Sequence, residues 1–156
     1  MLSFNGKSEL VEKTRIEHLH NLEYIIANCP GYVFWKDNNG CYIGCNNNFA
    51  KLLRLKESSE IIGKTDKELG FGRKKAEEFQ RDDQEVMEAG TVKITEYEIP
   101  IQRHDGGFMI VRTEKSRLYD REGNIAGVLG VALDITDQKI LEEKLIKEKE
   151  KAEILT

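Results

Sequence analysis

The sequence has little that would mark a catalyst, a metal protein or a membrane protein. Its three cysteines, Cys29, Cys41 and Cys45, include no CxxC pair. An odd count without that spacing argues against a disulfide framework or a zinc ribbon. On a strand, Cys41 and Cys45 would share a face but stand about 13 Å apart, too far for one ion. They read as small buried apolar residues. Histidine is also scarce. His18 and His20 lie i,i+2 on a helical stretch and point to different sides, and His104 falls in a turn, where water surrounds it. No run approaches the length of a membrane span, and the opening MLSFNGKSELVEK lacks the apolar core of a signal peptide. These absences predict a cytoplasmic chain with no membrane insertion of its own, while a longer parent could carry an anchor elsewhere. The net charge of −4 shows no basic bias, so nucleic acid is not the expected partner.

What is present fits one domain with charged helical ends. The chain has 156 residues, 39% of them hydrophobic and 33% charged, enough for one ordinary domain and not two. Three zones divide as 1–28, 29–136 and 137–156. In the first, Ile16, Leu19, Leu22 and Ile26 form one apolar stripe at helical spacing, and Pro30 and Gly31 stop the helix. The last reads QKILEEKLIKEKEKAEIL from 138 to 155, without glycine or proline. Leu141, Leu145, Ala152 and Leu155 mark a seam of period 3.5, interrupted by Glu148, as in a short coiled coil. Pairs such as Glu143 to Lys147 support it as a helix.

The middle zone alternates strand and helix signals. YVFWKD (32–37) is followed by the turn Asn38-Asn39-Gly40, and CYIGC returns as a second strand. Helices are predicted over 46–55 and 73–89, with a short turn opened by Ser58 as a cap between them. Three long strands follow, 91–103, 108–119 and 125–136, joined at His104-Asp105-Gly106-Gly107 and Asp120-Arg121-Glu122-Gly123. The order β-β-α-α-α-β-β-β is an α+β architecture, one antiparallel sheet with its helices on one face. Both parities of 108–136 are apolar, so both faces of the sheet need cover. The stripe at 16–26 is the expected cover for the second face.

Motifs for chemistry are thin. Gly63-Lys64-Thr65 imitates the end of a phosphate-binding loop, but Ser58 stands where the first glycine belongs, so it reads as a structural loop. No nucleophile, acid and base constellation appears, and the charged residues of 73–88 read as the solvated face of a helix. The chain is not expected to be an enzyme by itself.

The stretch YVFWKDNNGCYIGCNNNFAKLL, the loop IIGKTDKEL and the close DREGNIAGVLGVALDIT, in that order and spacing, resemble the PAS sensory domains of bacterial signalling proteins, over about residues 22–140. Arg117 departs from the resemblance, standing where many members carry proline. The resemblance implies a cupped five-stranded sheet around a pocket, with signals leaving through the helix after Asp134-Ile135-Thr136. It places Tyr32, Phe34, Lys36, Tyr42, Phe49, Val111, Thr113, Lys115, Val128, Gly130 and Ala132 inward, with Gly130 and Ala132 leaving room for a small organic ligand. The aromatics either line that pocket or simply fill the core, and the residues leave both open. Haem is not expected, because helix 73–89 has no histidine. Covalent flavin is not expected, because Asp66 stands where light-sensing relatives place a reactive cysteine. The implied function is a regulatory module for an output domain in the same parent chain, the kinase core of a two-component sensor histidine kinase. The alternatives are a ligand-free dimerisation and interaction module, or the regulatory domain of a diguanylate cyclase. The two flanking amphipathic helices predict a homodimer. Asp134 and Thr136 are the expected coupling residues, Thr136 as the N-cap of the last helix and Asp134 paired with a basic group.

Overall fold

The computed structural model describes residues 4–103 and 106–155, so His104 and Asp105 lie outside it. The elements run α1 (Phe4–Asn28), β1 (Tyr32–Asp37), β2 (Tyr42–Cys45), α2 (Asn47–Leu52), two single 3-10 turns at Ser58–Ile61 and Asp66–Leu69, α3 (Arg73–Ala89), β3 (Lys93–Gln102), β4 (Phe108–Tyr119), β5 (Ile125–Asp134) and α4 (Thr136–Leu155). The strands form one antiparallel sheet in the order β2-β1-β5-β4-β3. The last strand in sequence is thus the middle of the sheet, and it carries the chain from the core to the root of α4.

Local chemistry explains the hairpins. Asp37 ends β1, and its carboxylate accepts from the Asn39 and Cys41 amides. Asp120 does the same for Glu122 and Asn124 between β4 and β5. A side chain that satisfies the turn's own N–H groups fixes the turn, and Gly40 and Gly123 supply the positive φ that closes each one. Asn46 caps α2 by accepting from Phe49 N at 3.1 Å, and it also accepts from Val33 N and donates to Gly31 O. One buried amide therefore ties α2 to the start of β1. Ser58 does not cap its turn. Glu57 holds the cap position, with no side-chain bond there.

The inner face of the sheet packs under α2, α3 and the 3-10 turns. Phe34, Tyr42, Phe49, Phe79, Tyr97, Ile99 and Val111 form the centre of the core. Ala76, Phe79, Asp83 and Val86 are the buried stripe of α3. The C-terminal end of α3 is closed by Gly90 in the left-handed region and by Arg117, whose guanidinium donates to Met87 O and Glu88 O. Arg117 is thus the partner of α3's unpaired carbonyls.

The expected cover of the outer sheet face is not found. Ile16, Leu19, Leu22 and Ile26 of α1 are exposed, and so are Val131 and Leu133 on the outer side of β5. The helix leaves the domain near α2 and does not fold back over the sheet. Amphipathy shows that a face needs cover, not which surface supplies it. Leu141, Leu145 and Leu155 of α4 are exposed as well. Of the cysteines, Cys45 is buried, while Cys29 and Cys41 are half-buried, Cys41 lying just outside β2.

Candidate functional site

A small cavity of about 40 Å³ lies between the inner face of the sheet and α2 and α3. Among the residues expected inward, Tyr32, Phe34, Lys36, Tyr42, Phe49, Val111, Thr113, Lys115 and Ala132 line it. Val128 and Gly130 do not. Val128 is fully buried outside the cavity, and the Phe34 ring lies over Gly130 and fills the space its missing side chain leaves. Leu52, Phe71, Phe79, Tyr97 and Ile99, not anticipated from the sequence, complete the wall. The aromatic rings meet one another closely: Phe34 stacks on Phe49 at 5.1 Å, and Phe79 stands edge-on to Phe71 and Tyr97.

One end of the cavity is ionic. Lys36 Nζ donates to Asp66 Oδ2 and Asp83 Oδ2, both at 2.8 Å, and its side chain is 1% exposed. Lys115 Nζ donates to Asp83 Oδ1 at 2.7 Å. The Tyr42 hydroxyl donates to Asp66 Oδ1 at 2.6 Å. Asp83 therefore bridges two lysines from β1 and β4, the strands on either side of β5, and Asp66 ties a lysine and a tyrosine to the 3-10 turn. Asp83 corrects the expectation that the charges of 73–88 are all solvated. Asp66, noted in the sequence only as a replacement for a cysteine, is a partner of Lys36. Both aspartates also line a polar surface cleft of about 370 Å³ that contains Asn38, Gln80 and Gln84. The cluster thus stands between an apolar cavity and a polar cleft.

The two lysines respond differently to this setting. Burial opposes the charge on Lys36, but Asp83 and Asp66 outweigh it and raise its pKa. Burial dominates at Lys115, which has one carboxylate and faces the charge of Lys36, so its pKa is lowered. Burial, reinforced by Asp66, holds the Tyr42 hydroxyl well above its usual range. Burial alone lifts the Cys45 thiol to about 11, which makes it a poor thiolate at neutral pH. The Gly63-Lys64 pair makes no anion cradle, because Gly63 N donates to Tyr42 O and Lys64 O accepts from Tyr42 N. Among the described residues no group of three or more His, Cys, Asp or Glu could hold a metal ion.

At the other end of the same sheet lies the root of α4. Thr136 is the first residue of the helix and not its N-cap. Its hydroxyl accepts from Ile110 N of β4 at 2.9 Å and donates to Asp134. Asp134 Oδ1 also accepts from Thr136 N at 3.0 Å, so the aspartate takes the capping role. The basic partner of Asp134 is Arg103, which follows β3, at 3.7 Å, and Arg103 donates to Asp137 Oδ1 at 3.0 Å. Lys139 reaches back from α4 to Glu96 of β3 at 3.0 Å.

A cupped five-stranded antiparallel sheet, a central cavity and a helix rooted on the middle strand define a sensory-type α+β domain. The comparisons agree. The family model for the PAS fold matches residues 26–140, and the chain belongs to this family. It is 32% identical over 143 residues to a diguanylate cyclase of Vibrio cholerae serotype O1 (strain ATCC 39541 / Classical Ogawa 395 / O395), covering 87% of this chain and 44% of the relative. It is 28% identical over 131 residues to Histidine kinase 5 of Arabidopsis thaliana, covering 83% of this chain and 13% of that one. The chain thus spans less than half of either curated relative. The crystal structure of the Vibrio cholerae VqmA–ligand–DNA complex matches with a TM-score of 0.65 at 29% identity, over 76% of this chain and 52% of that one. A PAS domain is a sensory module and not itself a catalyst. No described helix is long and apolar enough to cross a membrane.

Proposed function

We propose that this chain is a cytoplasmic sensory module that converts occupation of its central cavity by a small organic molecule into a changed orientation of α4. Its output domain is then the kinase core of a two-component sensor histidine kinase. One observation carries the reading: Ala132 lines the cavity, and Asp134, two residues on along β5, holds the first residue of α4. A ligand pressing on the sheet therefore needs no long relay to reach the helix. The ligand recorded with VqmA supports a ligand-binding role for the fold at this identity. The cyclase relative supports a second reading, in which the same device regulates a diguanylate cyclase. The exposed apolar residues of α1 and α4 support a homodimer with parallel stalks. The ligand on this reading is neither haem nor covalent flavin.

The test is Asp134→Ala in the full-length parent. Basal output should change while the domain stays folded, with a stability loss of about 1 kcal/mol from the lost cap. Unchanged output with only a lower melting temperature would reduce Asp134 to a helix cap.

A further inference from the structure

The polar groups of the cavity wall narrow what it can take. Lys115 Nζ donates to Asp83 Oδ1 and to no other described group, so two of its three N–H groups remain. Its side chain is 3% exposed and its ammonium lies 5.2 Å from the Phe79 ring centre and 5.5 Å from that of Tyr97. Two residues earlier on the same face of β4, the buried Thr113 hydroxyl makes no hydrogen bond to a described group. No side-chain nitrogen or oxygen that is sealed away from all space lacks a partner among the described residues. The Thr113 hydroxyl is therefore not sealed off, and it lines the cavity together with Lys115. Lys36, by contrast, meets two carboxylates and has one N–H left.

Charge decides the class of ligand. Lys36 and Lys115 balance Asp66 and Asp83, so the cluster is neutral as it stands. An anion would bring a buried charge with no counter-charge left to meet it, and a cation would in addition face Lys115. A neutral oxygen acceptor adds no charge and completes the lysine. Resting on the sensory reading above, we propose that the cavity takes a small neutral amide-type carbonyl compound. Its oxygen accepts from Lys115 Nζ, its N–H donates to Thr113 Oγ1, and its apolar part lies among Phe34, Phe79 and Tyr97. The volume of about 40 Å³ is room for about three water-sized groups. The ligand is thus a molecule of about three heavy atoms, or a small ring of about five or six that displaces part of the aromatic wall.

Four probes of one size and different charge test this: 2-pyrrolidone, cyclopentane, pyrrolidinium and butyrate, each titrated into the whole chain and followed by the amide and methyl NMR signals of the cavity wall. The expected result is that 2-pyrrolidone binds most tightly. Thr113→Val, which keeps the shape of the side chain and so the fold, should weaken it about fivefold to tenfold, and Lys115→Met by about tenfold or more. Cyclopentane binding should not respond to Thr113→Val. Tighter binding of pyrrolidinium, butyrate or cyclopentane overturns the ligand class and leaves the sensory reading standing. Equal 2-pyrrolidone affinity in the wild type and Thr113→Val overturns it too. If no probe of any class moves the cavity signals, the ligand class falls together with the cavity as a sensory site.

Discussion

Lys36→Met weighs the ion cluster directly. Methionine has nearly the length of lysine and fills the same space without the charge. Afterwards Asp83 retains Lys115 at 2.7 Å, but Asp66 retains only the Tyr42 hydroxyl at 2.6 Å. One of two buried carboxylates, Asp66, would then have no ammonium beside it. Removing one partner of a buried pair costs about 3–5 kcal/mol, because the group left behind stays desolvated. For a chain of this size, each kcal/mol lowers the melting temperature by about 2–4 °C, so the expected fall is about 6–20 °C. Thermal and urea unfolding followed by circular dichroism measure it. The control is Arg73→Ala, which breaks an ion pair whose side chains are 85% and 50% exposed and should cost well under about 1 kcal/mol. If Lys36→Met destabilises no more than this control, the cluster is not the buried, charge-balanced unit described above.

Arg117→Met should leave the last carbonyls of α3 unpaired; the expected loss is about 1–2 kcal/mol, with hydrogen exchange speeding up first at the C-terminal turn of α3. Stability should fall as pH rises above the ordinary tyrosine value of 10.0, because burial keeps Tyr42 and Tyr97 protonated in the folded chain while the unfolded chain ionises there. Each tyrosine adds a slope of about −1.4 kcal/mol per pH unit. Lys36, with its raised pKa, acts in the same direction, and Lys115, with its lowered pKa, opposes it only up to the ordinary lysine value of 10.5. Urea midpoints that do not move above pH 10.0 would contradict this assignment. Sedimentation should show at least a weak dimer, and a pure monomer at about 100 μM, where a micromolar contact is populated, would refute dimerisation of this chain.

What the sequence disclosed depended on how local the cause was. The hairpins at Asp37 and Asp120 and the stop at Gly90 are fixed by neighbours within four residues, and they were readable. Strand parity followed from alternation, and the resemblance supplied which parity faces in. Asp83 was hidden because it sits among Arg81, Asp82 and Glu85 in a charge-dense helix. Two signals could have exposed it. Ala76, Phe79 and Val86 have helical spacing, and position 83 falls on their stripe. Two lysines on the inner face, at 36 and 115, also require buried carboxylates. The role of Thr136 was misjudged for a different reason. Capping preferences describe a helix by itself, whereas the Thr136 hydroxyl reaches sideways to Ile110 of the neighbouring strand, a contact that only the folded sheet creates.

The balance of energies in the fold bears on how a weak ligand could move α4. The core around the cavity is closely packed and charge-balanced, so it resists local change. The root of α4 is held differently. Asp134, Arg103 and Asp137 form an alternating row, with Asp134 28% and Asp137 83% exposed on their side chains. The Arg103–Asp137 pair, open to solvent on its Asp137 side, is of the weak kind, the Arg103–Asp134 contact is long at 3.7 Å, and the apolar residues farther along α4 are exposed in the single chain. The helix direction therefore rests on a few small interactions. Tyr32 stands between the two regions. It lines the cavity, pairs with Ala132 across β1 and β5, and has a pKa raised by burial and then by the charge of Asp134, with Arg103 acting oppositely. Tyr32 is thus near enough to both members of the Asp134–Arg103 pair to feel their charges. An equilibrium between two helix directions moves only by the ligand's differential affinity for them. A clamp worth about 1 kcal/mol at its cap can be overcome by a difference of about tenfold in affinity. On the sensory reading, the firm cavity and the weak root are complementary: the first fixes what is recognised, and the second lets a small molecule's limited binding energy change the output.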